Sequence, residues 1–347
     1  MMPEEWPIAA PAADRSVPVY AAGRGRLATI RADFFLDPAH RLSEQERALM
    51  SAMLHCLLGE IADAVRAALP AGWSAANDES NLELVETLIR RGLLDEPGLM
   101  ALLVRRADEE RIGTGGRARS GRRDARTIQG LVSSDAGAVS AAAMALILAR
   151  GRRRDRFGQC LLLFDDLPPA LAASLVHVIC AGLRARLEGT HGPAEADGVL
   201  SAAAEAVLAA HDPARSMEAA TAALIAALQA EDRLEPLIVA AAHEGELAFL
   251  AQAVAARAGL SGAGAIDELL SGDVQRVMQV LRMAGLPRTL AAGILAALGD
   301  LLGLDDAGRA IAMFDRLSDE EVAQARAWLA ASPAYRSAVA ALESDHG

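Results

Sequence analysis

The sequence predicts an all-α protein, a helical array of stacked helix pairs in the manner of an α-solenoid. Three observations lead there. Aromatic residues make up only 3% of the chain; strands favour aromatic and β-branched residues, whereas alanine, abundant here, is the best helix former. Apolar residues recur at i, i+3, i+4 and i+7 over long windows. Helix start and stop signals then punctuate the chain almost from end to end.

Taken in order, residues 1–23 are rich in Pro and Ala without a helical period, which predicts a flexible arm. A first helix is expected from about Gly25 to Phe35, ending before Pro38. Ser43 with Glu46 forms a capping-box pair, in which the hydroxyl takes one free amide and the carboxylate reaches back to another. Behind it, Leu49, Met50, Met53, Leu54, Leu57, Leu58, Ile61, Val65 and Leu69 make one apolar stripe. Leu82 to Ile89 give a further helix closed by Gly92, and Leu99–Val104 begin another after Pro97. Gly113, Gly115, Gly116 and Gly121 then interrupt the pattern, and glycine at that density predicts a flexible basic connector near 105–126. The apolar run Ala138–Ala149 reads as a helix with Ser133, Ser134 and Asp135 as its N-cap cluster. Beyond Pro168–Pro169, Pro193 and Pro213 mark first helical positions, the second behind Asp212 as N-cap. Asp273 is a further cap, Ser318 with Glu321 a second capping box, and Pro333 the start of the last helix. These signals divide the chain into the arm, an N-terminal helical region 24–155 and a C-terminal helical-repeat region 156–345.

Within the last region Gly245, Leu247, Leu250, Val254 and Gly259 align with Gly272, Val274, Val277, Leu281 and, one residue out of step, Gly285. The unit is about 27 residues long and each such helix is followed by a second short apolar helix, which suits a stacked-pair architecture, with a separate N-terminal helical bundle allowed; the alternative is a compact helical bundle whose glycines coincide by chance.

Charge and residue usage exclude several chemistries. The net charge is −12, so the surface as a whole does not favour DNA or an anionic membrane. All 34 basic residues are arginine. Without lysine there is no P-loop, no pyridoxal Schiff base and no kinase-type lysine. Cys56, Cys160 and Cys180 are too few and too scattered for a disulfide framework, and reduced, buried thiols in the cytoplasm are expected. Glu4, Glu5 and the early prolines do not fit a signal peptide. The uncharged stretch Leu167–Leu183 is read as a core helix rather than a span, because Pro168 and Pro169 open it and His177 lies inside.

The most unusual local feature is the density of arginine: thirteen of the 34 fall between positions 105 and 156. Arginine forks suit phosphate and carboxylate recognition, so Arg122, Arg123, Arg152 and Arg153 are candidates for binding an anion or an acidic partner. The competing reading, favoured here, pairs these arginines with Asp108, Glu109, Glu110 and Asp124. No interleaved aromatics are present for base stacking. His177 with Cys180, and His55 with Cys56, are too sparse for a zinc site or a nucleophilic dyad, and core or capped residues are expected. His243–Glu244 resembles a phospho-accepting pair without an ATP-binding half, and Gly262-Ala263-Gly264 lacks the strand and third glycine of a dinucleotide loop. No metal, cofactor or catalytic residue is therefore expected.

The chain also resembles an uncharacterised alphaproteobacterial all-helical family, a domain of unknown function. Asp166-Leu167-Pro168, Leu175-Val176, Ala181-Gly182-Leu183-Arg184, Gly245-Glu246-Leu247 and Arg282-Met283-Ala284-Gly285-Leu286-Pro287 carry the likeness, with Ala32-Asp33-Phe34-Phe35-Leu36 ahead of them. His177, Val178 and Ile179 stand where members often carry aromatics after the Leu-Val pair. The resemblance implies a HEAT-like helical repeat and no activity. Together with the array it leads to the expectation of a non-catalytic scaffold or regulatory adaptor whose partner is a protein; the alternative is nucleic-acid or anion binding through 105–126 and 150–156.

Overall fold

The computed structural model describes residues 42–73, 81–120, 126–304, 306–332 and, near the C-terminus, 335, 336, 338, 339 and 342. The arm 1–23, the helix expected at 25–35, Asp124 and the restart at Pro333 lie outside the described residues. Among those described the fold is all-α. α1 (Glu44–Ala68), α2 (Asn81–Arg90), α3 (Pro97–Ser120), α4 (Arg126–Leu131) and α5 (Gly137–Arg152) come first. A loop with one isolated antiparallel bridge, Arg154 to Cys160, follows, with a 3₁₀ turn at Phe164–Asp166. Then come α6 (Pro169–His191), α7 (Pro193–Ala210), α8 (Met217–Ala230), α9 (Glu235–His243), α10 (Leu247–Ala258), α11 (Gly262–Leu269), α12 (Val274–Met283), α13 (Arg288–Leu298), α14 (Ala307–Arg316) and α15 (Asp319–Ala330).

The caps explain many of these limits. Asp273 Oδ1 accepts from Gln275 N at 2.8 Å, and Ser318 and Glu321 exchange both bonds of the capping box. Asp212 caps only the 3₁₀ turn Pro213–Arg215, and Ser216 caps the longer α8 behind it. The cluster before α5 differs from expectation: its N-cap position is Ala136, which has no side-chain acceptor. Ser134 instead accepts from Ala136 N at 3.3 Å and from Arg233 Nη1 at 2.6 Å, which ties the start of α5 to the end of α8.

The glycine repeat has a backbone cause. Gly245, Gly259, Gly272, Gly285 and Gly303 all lie at positive φ, between 61° and 76°. Each ends one short helix in the left-handed conformation that glycine adopts without a Cβ penalty. The helices between them run 8–12 residues and stack: α8 packs on α10, α10 on α12, and α12 on α14. α9 also packs on α13, so the first and third pairs touch directly.

Packing does not divide at residue 155. Ile112 of α3, Ile128 and Leu131 of α4 and Val139, Ala143 and Leu146 of α5 share one buried cluster with residues of α8–α14. The expected boundary between 24–155 and 156–345 is absent there because α3 crosses the repeat region itself, contacting α9, α10 and α13.

The expected connector is also corrected: residues 105–120 are the last two thirds of α3. Its glycines are used for close approach. A Cβ on Gly116 would stand 2.5 Å from Gly245 N, and one on Gly245 would stand 2.5 Å from Ile112 O. The two backbones therefore touch where α3 crosses the α9–α10 turn. Glycine costs a helix about 1 kcal/mol each relative to alanine, and the tight crossing and the arginine contacts described below offset that cost.

α1 is the one described helix long and apolar enough to cross a membrane on its own. Its Met53, Leu57, Leu58, Ile61 and Val65 are buried within the protein.

Candidate functional site

α3 presents Arg106, Glu109, Glu110, Gly113 and Arg117 along one face, at the three- and four-residue spacing of neighbours on a helix. Opposite stand Ile147 and Arg150 of α5, Arg154 behind it, and Gly245–Ala248 at the α9–α10 turn. They enclose a cleft of about 430 Å³ lined by four arginines and three glutamates.

Nearly all of that charge is committed internally. Arg106 Nη1 donates to Glu109 Oε2 at 2.8 Å. Arg150 pairs with Glu246 through both guanidinium nitrogens. Arg154 donates to Glu110 at 2.6 Å and to Gly158 O at 2.9 Å. Arg117 bonds Thr114 Oγ1 at 3.1 Å and approaches Glu110 at 3.8 Å. Beside the cleft, Arg153 bonds Asp166 at 2.8 Å and Glu109 at 3.3 Å. Burial works against the charge on Arg153, but Glu109 and Asp166 outweigh it and hold its pKa above the ordinary value. Asp166 in turn accepts from Met217 N and Leu163 N, which joins the 3₁₀ turn to α8. For Glu246, burial pushes the carboxyl up against the pull of Arg150. Glu244, 4% exposed, accepts from Thr127 N at 3.0 Å and so caps α4.

The four predicted arginines thus separate. Arg153 is 8% exposed and turned inward; it is a structural cation, because the buried Asp166 and Glu109 need a partner. Arg152, the next residue back, is exposed at the end of α5 and donates to Arg215 O at 2.6 Å. Arg122 and Arg123 lie outside the described residues. Elsewhere on α3, Arg105 grips Asp267 at 2.6 and 2.7 Å, and Arg111 bonds Asp108 and Leu301 O. The pairing with Asp108, Glu109 and Glu110 expected from the sequence is what the geometry contains.

The remaining candidates are equally occupied. His55 and His177 each bond the carbonyl four residues back, Ser51 O at 2.7 Å and Ala173 O at 2.6 Å. His211 bonds Leu167 O and rests against Phe164. Cys160 is close to three arginines, yet burial outweighs them and raises its pKa. Cys180 is buried and pushed up to about 11. Gly262-Ala263-Gly264 opens α11 behind Ser261, which accepts from Gly264 N. Among the described residues no three His, Cys, Asp or Glu side chains gather as a metal site would require.

A second feature was not singled out from the sequence. Between α12 and α15 runs a groove of about 650 Å³, lined by Met283, Leu329, Trp328 and Tyr335 with the amides of Gln275, Gln279 and Gln324 at its edge. Trp328 is 42% and Tyr335 59% exposed, and their rings stand 6.3 Å apart, tilted by 60°. The signal was present: Val322, Ala325 and Leu329 form the inward stripe of α15, and Trp328 lies one position off it. In a chain with three tryptophans, one kept outside that stripe is a surface feature.

No curated protein and no solved structure matches the chain. Residues 119–327, more than half of it, match a family model described as an uncharacterised protein conserved in bacteria (DUF2336). The match runs from the end of α3 into α15; it takes in the α12–α15 groove up to Ala327, and the α5 and α9–α10 walls of the charged cleft. The chain belongs to this family of uncharacterised bacterial proteins.

Proposed function

We propose that the protein is a non-catalytic interaction module that receives an apolar, helical segment of a partner protein in the groove between α12 and α15. The observation that carries this reading is the exposed pair Trp328 and Tyr335 in a chain with so few aromatics. Exposed tryptophan and tyrosine at the wall of a groove are the residues that dominate binding energy at interfaces. The amides of Gln275, Gln279 and Gln324, with Arg276 held by Glu268 and Glu321 held in the Ser318 capping box, suit a polar rim around such an apolar contact. The arginine segment supports the same reading from the other side, because most of its described members, among them Arg105, Arg106, Arg111, Arg150, Arg153 and Arg154, bond carboxylates of the protein itself, while Arg126 and Arg156 stand exposed. A nucleic-acid surface needs cations free to displace counterions.

The test is an affinity capture from the native host with the wild-type chain and with Trp328→Ala. Loss of a truncated aromatic anchor weakens binding by at least about 2 kcal/mol, roughly 30-fold. Proteins retained by the wild type should therefore be missing with the variant, at an unchanged melting temperature. Identical retention by both chains would refute the reading.

A further inference from the structure

We infer that the outward faces of α5 and α8 form a self-association surface, on which a second copy of this chain docks with its helices antiparallel to the first. The surface is separate from the α12–α15 groove.

The two helices pack side by side. Their order along the seam is antiparallel: Arg152 at the end of α5 reaches Arg215 ahead of α8, and Ser134 ahead of α5 meets Arg233 beyond α8. Neither outward face carries charge. From Gly137 to Ala149, and from Ala219 to Ala230, there is no Asp, Glu or Arg. Yet Ala141, Met144, Ala145 and Leu148 of α5 and Ala223 and Ala226 of α8 are all exposed, with Leu148 at 63% and Met144 at 44%. Two adjoining helix faces without a charge, on a protein that is 23% charged, make an apolar patch that calls for a partner.

The ends of the patch identify that partner. At one end Arg152, Arg156 and Arg215 are exposed and outnumber Asp212 and Glu218. At the other, Asp135, Glu231 and Asp232 are exposed and outnumber Arg233. A symmetric pair must be related by a two-fold axis lying in the interface. An axis along the helices would set basic end on basic end. An axis across them sets each basic end on the partner's acidic end and lays α5 antiparallel on the α5 of the other copy. In that arrangement the axis passes near Met144 and Ala145, so the large Leu148 of each copy falls opposite the small Ala141 of the other. Shape and charge agree on one geometry.

The patch spans about 15 Å along helices spaced about 10 Å apart, on the order of 350 Å² per copy. The total of about 700 Å² is below the roughly 1,000 Å² of a stable interface, so the dimer inferred is a weak, transient one, and the charged ends rather than the area argue for it.

Sedimentation equilibrium of the full chain over a concentration series tests this. The wild type should shift from 36.2 kDa to twice that mass as concentration rises. Leu148→Glu places a charge inside the contact, opposite Ala141 of the other copy, and should raise the dissociation constant at least about 30-fold; Met144→Glu, beside the axis, should do the same, and both variants should melt with the wild type because the positions are exposed. Arg152→Glu should weaken the dimer about 10-fold, and adding Asp135→Arg to it should restore the affinity to within about 3-fold, each figure covering the two symmetry-related charge pairs gained or lost. Trp328→Ala should dimerise like the wild type, which separates this inference from the proposed function. A chain that stays monomeric at every concentration overturns the inference, and so does a dimer that Leu148→Glu leaves intact. Failure of the double charge reversal to restore affinity overturns the antiparallel arrangement.

Discussion

Cys180 lies in the seam between α6 and α7, its Sγ 3.8 Å from Leu200 O, and burial pushes its thiol up to about 11. An unfolded cysteine titrates near about 8.5. Between these two values the unfolded chain loses this proton while the folded chain keeps it, so folding stability falls as pH rises through that window. The slope is about 1.4 kcal/mol per pH unit for one such group. The chain has no lysine and two tyrosines, so few other groups titrate there. Urea unfolding midpoints between pH 8.5 and 10.5 should fall for the wild type, and the fall should be clearly shallower in Cys180→Ala. Equal slopes would contradict the burial of the thiol. The reduced, buried state of Cys160 and Cys180 was legible in the sequence from their number and spacing. That Cys56 is exposed was not, because it lies at the margin of the apolar stripe and a one-dimensional pattern does not resolve margins.

At the scale of elements, α3 shows where local rules are overruled. Its glycines argue for a loop, and taken alone they would make one. What restores the helix is tertiary: Gly116 and Gly245 bring two backbones into contact, while Arg105 and Arg111 bond residues from Asp267 to Leu301. Those partners lie more than 150 residues away in sequence, so no local window contains them. The capped helices were legible for the opposite reason, since Asp273, Ser318 and Glu321 bond amides within three residues. Gly116→Ala should destabilise the protein by about 2–3 kcal/mol, the cost of overpacking a tight contact. Gly198→Ala, in α7 with open space around its Cβ position, should stabilise it by about 0.5–1 kcal/mol. Chemical denaturation of both variants decides this; a neutral Gly116→Ala would mean that the crossing is not tight.

Across the whole molecule, alanine-rich helices supply the interior and arginine supplies the polar joints between them. The all-α class was legible from composition and period, and so were the glycines that end α9 to α12 in the left-handed conformation, at intervals of 13–14 residues. The boundary expected at residue 155 was not, since the helices that erase it cross the repeat from outside. The site was legible in part. Arginine density marks the stretch that lines the charged cleft, but the direction of each side chain depends on the carboxylates facing it: neighbours in sequence, Arg152 and Arg153 point to opposite environments. The groove at Trp328 was not read, although Trp328 lies one position off the stripe of Val322, Ala325 and Leu329, because the other wall, α12, is about 50 residues away in sequence and a local window does not contain both.

The central claim is that the arginine segment holds the fold together and leaves recognition to apolar surfaces. Equilibrium urea unfolding of Arg153→Ala beside Arg152→Ala tests it most directly. Removing Arg153 strands Asp166, whose side chain is 2% exposed, and should cost about 3–5 kcal/mol. Removing the exposed Arg152 should change stability by less than about 0.5 kcal/mol. If Arg153→Ala costs no more than Arg152→Ala, the arginines are not structural and the account fails.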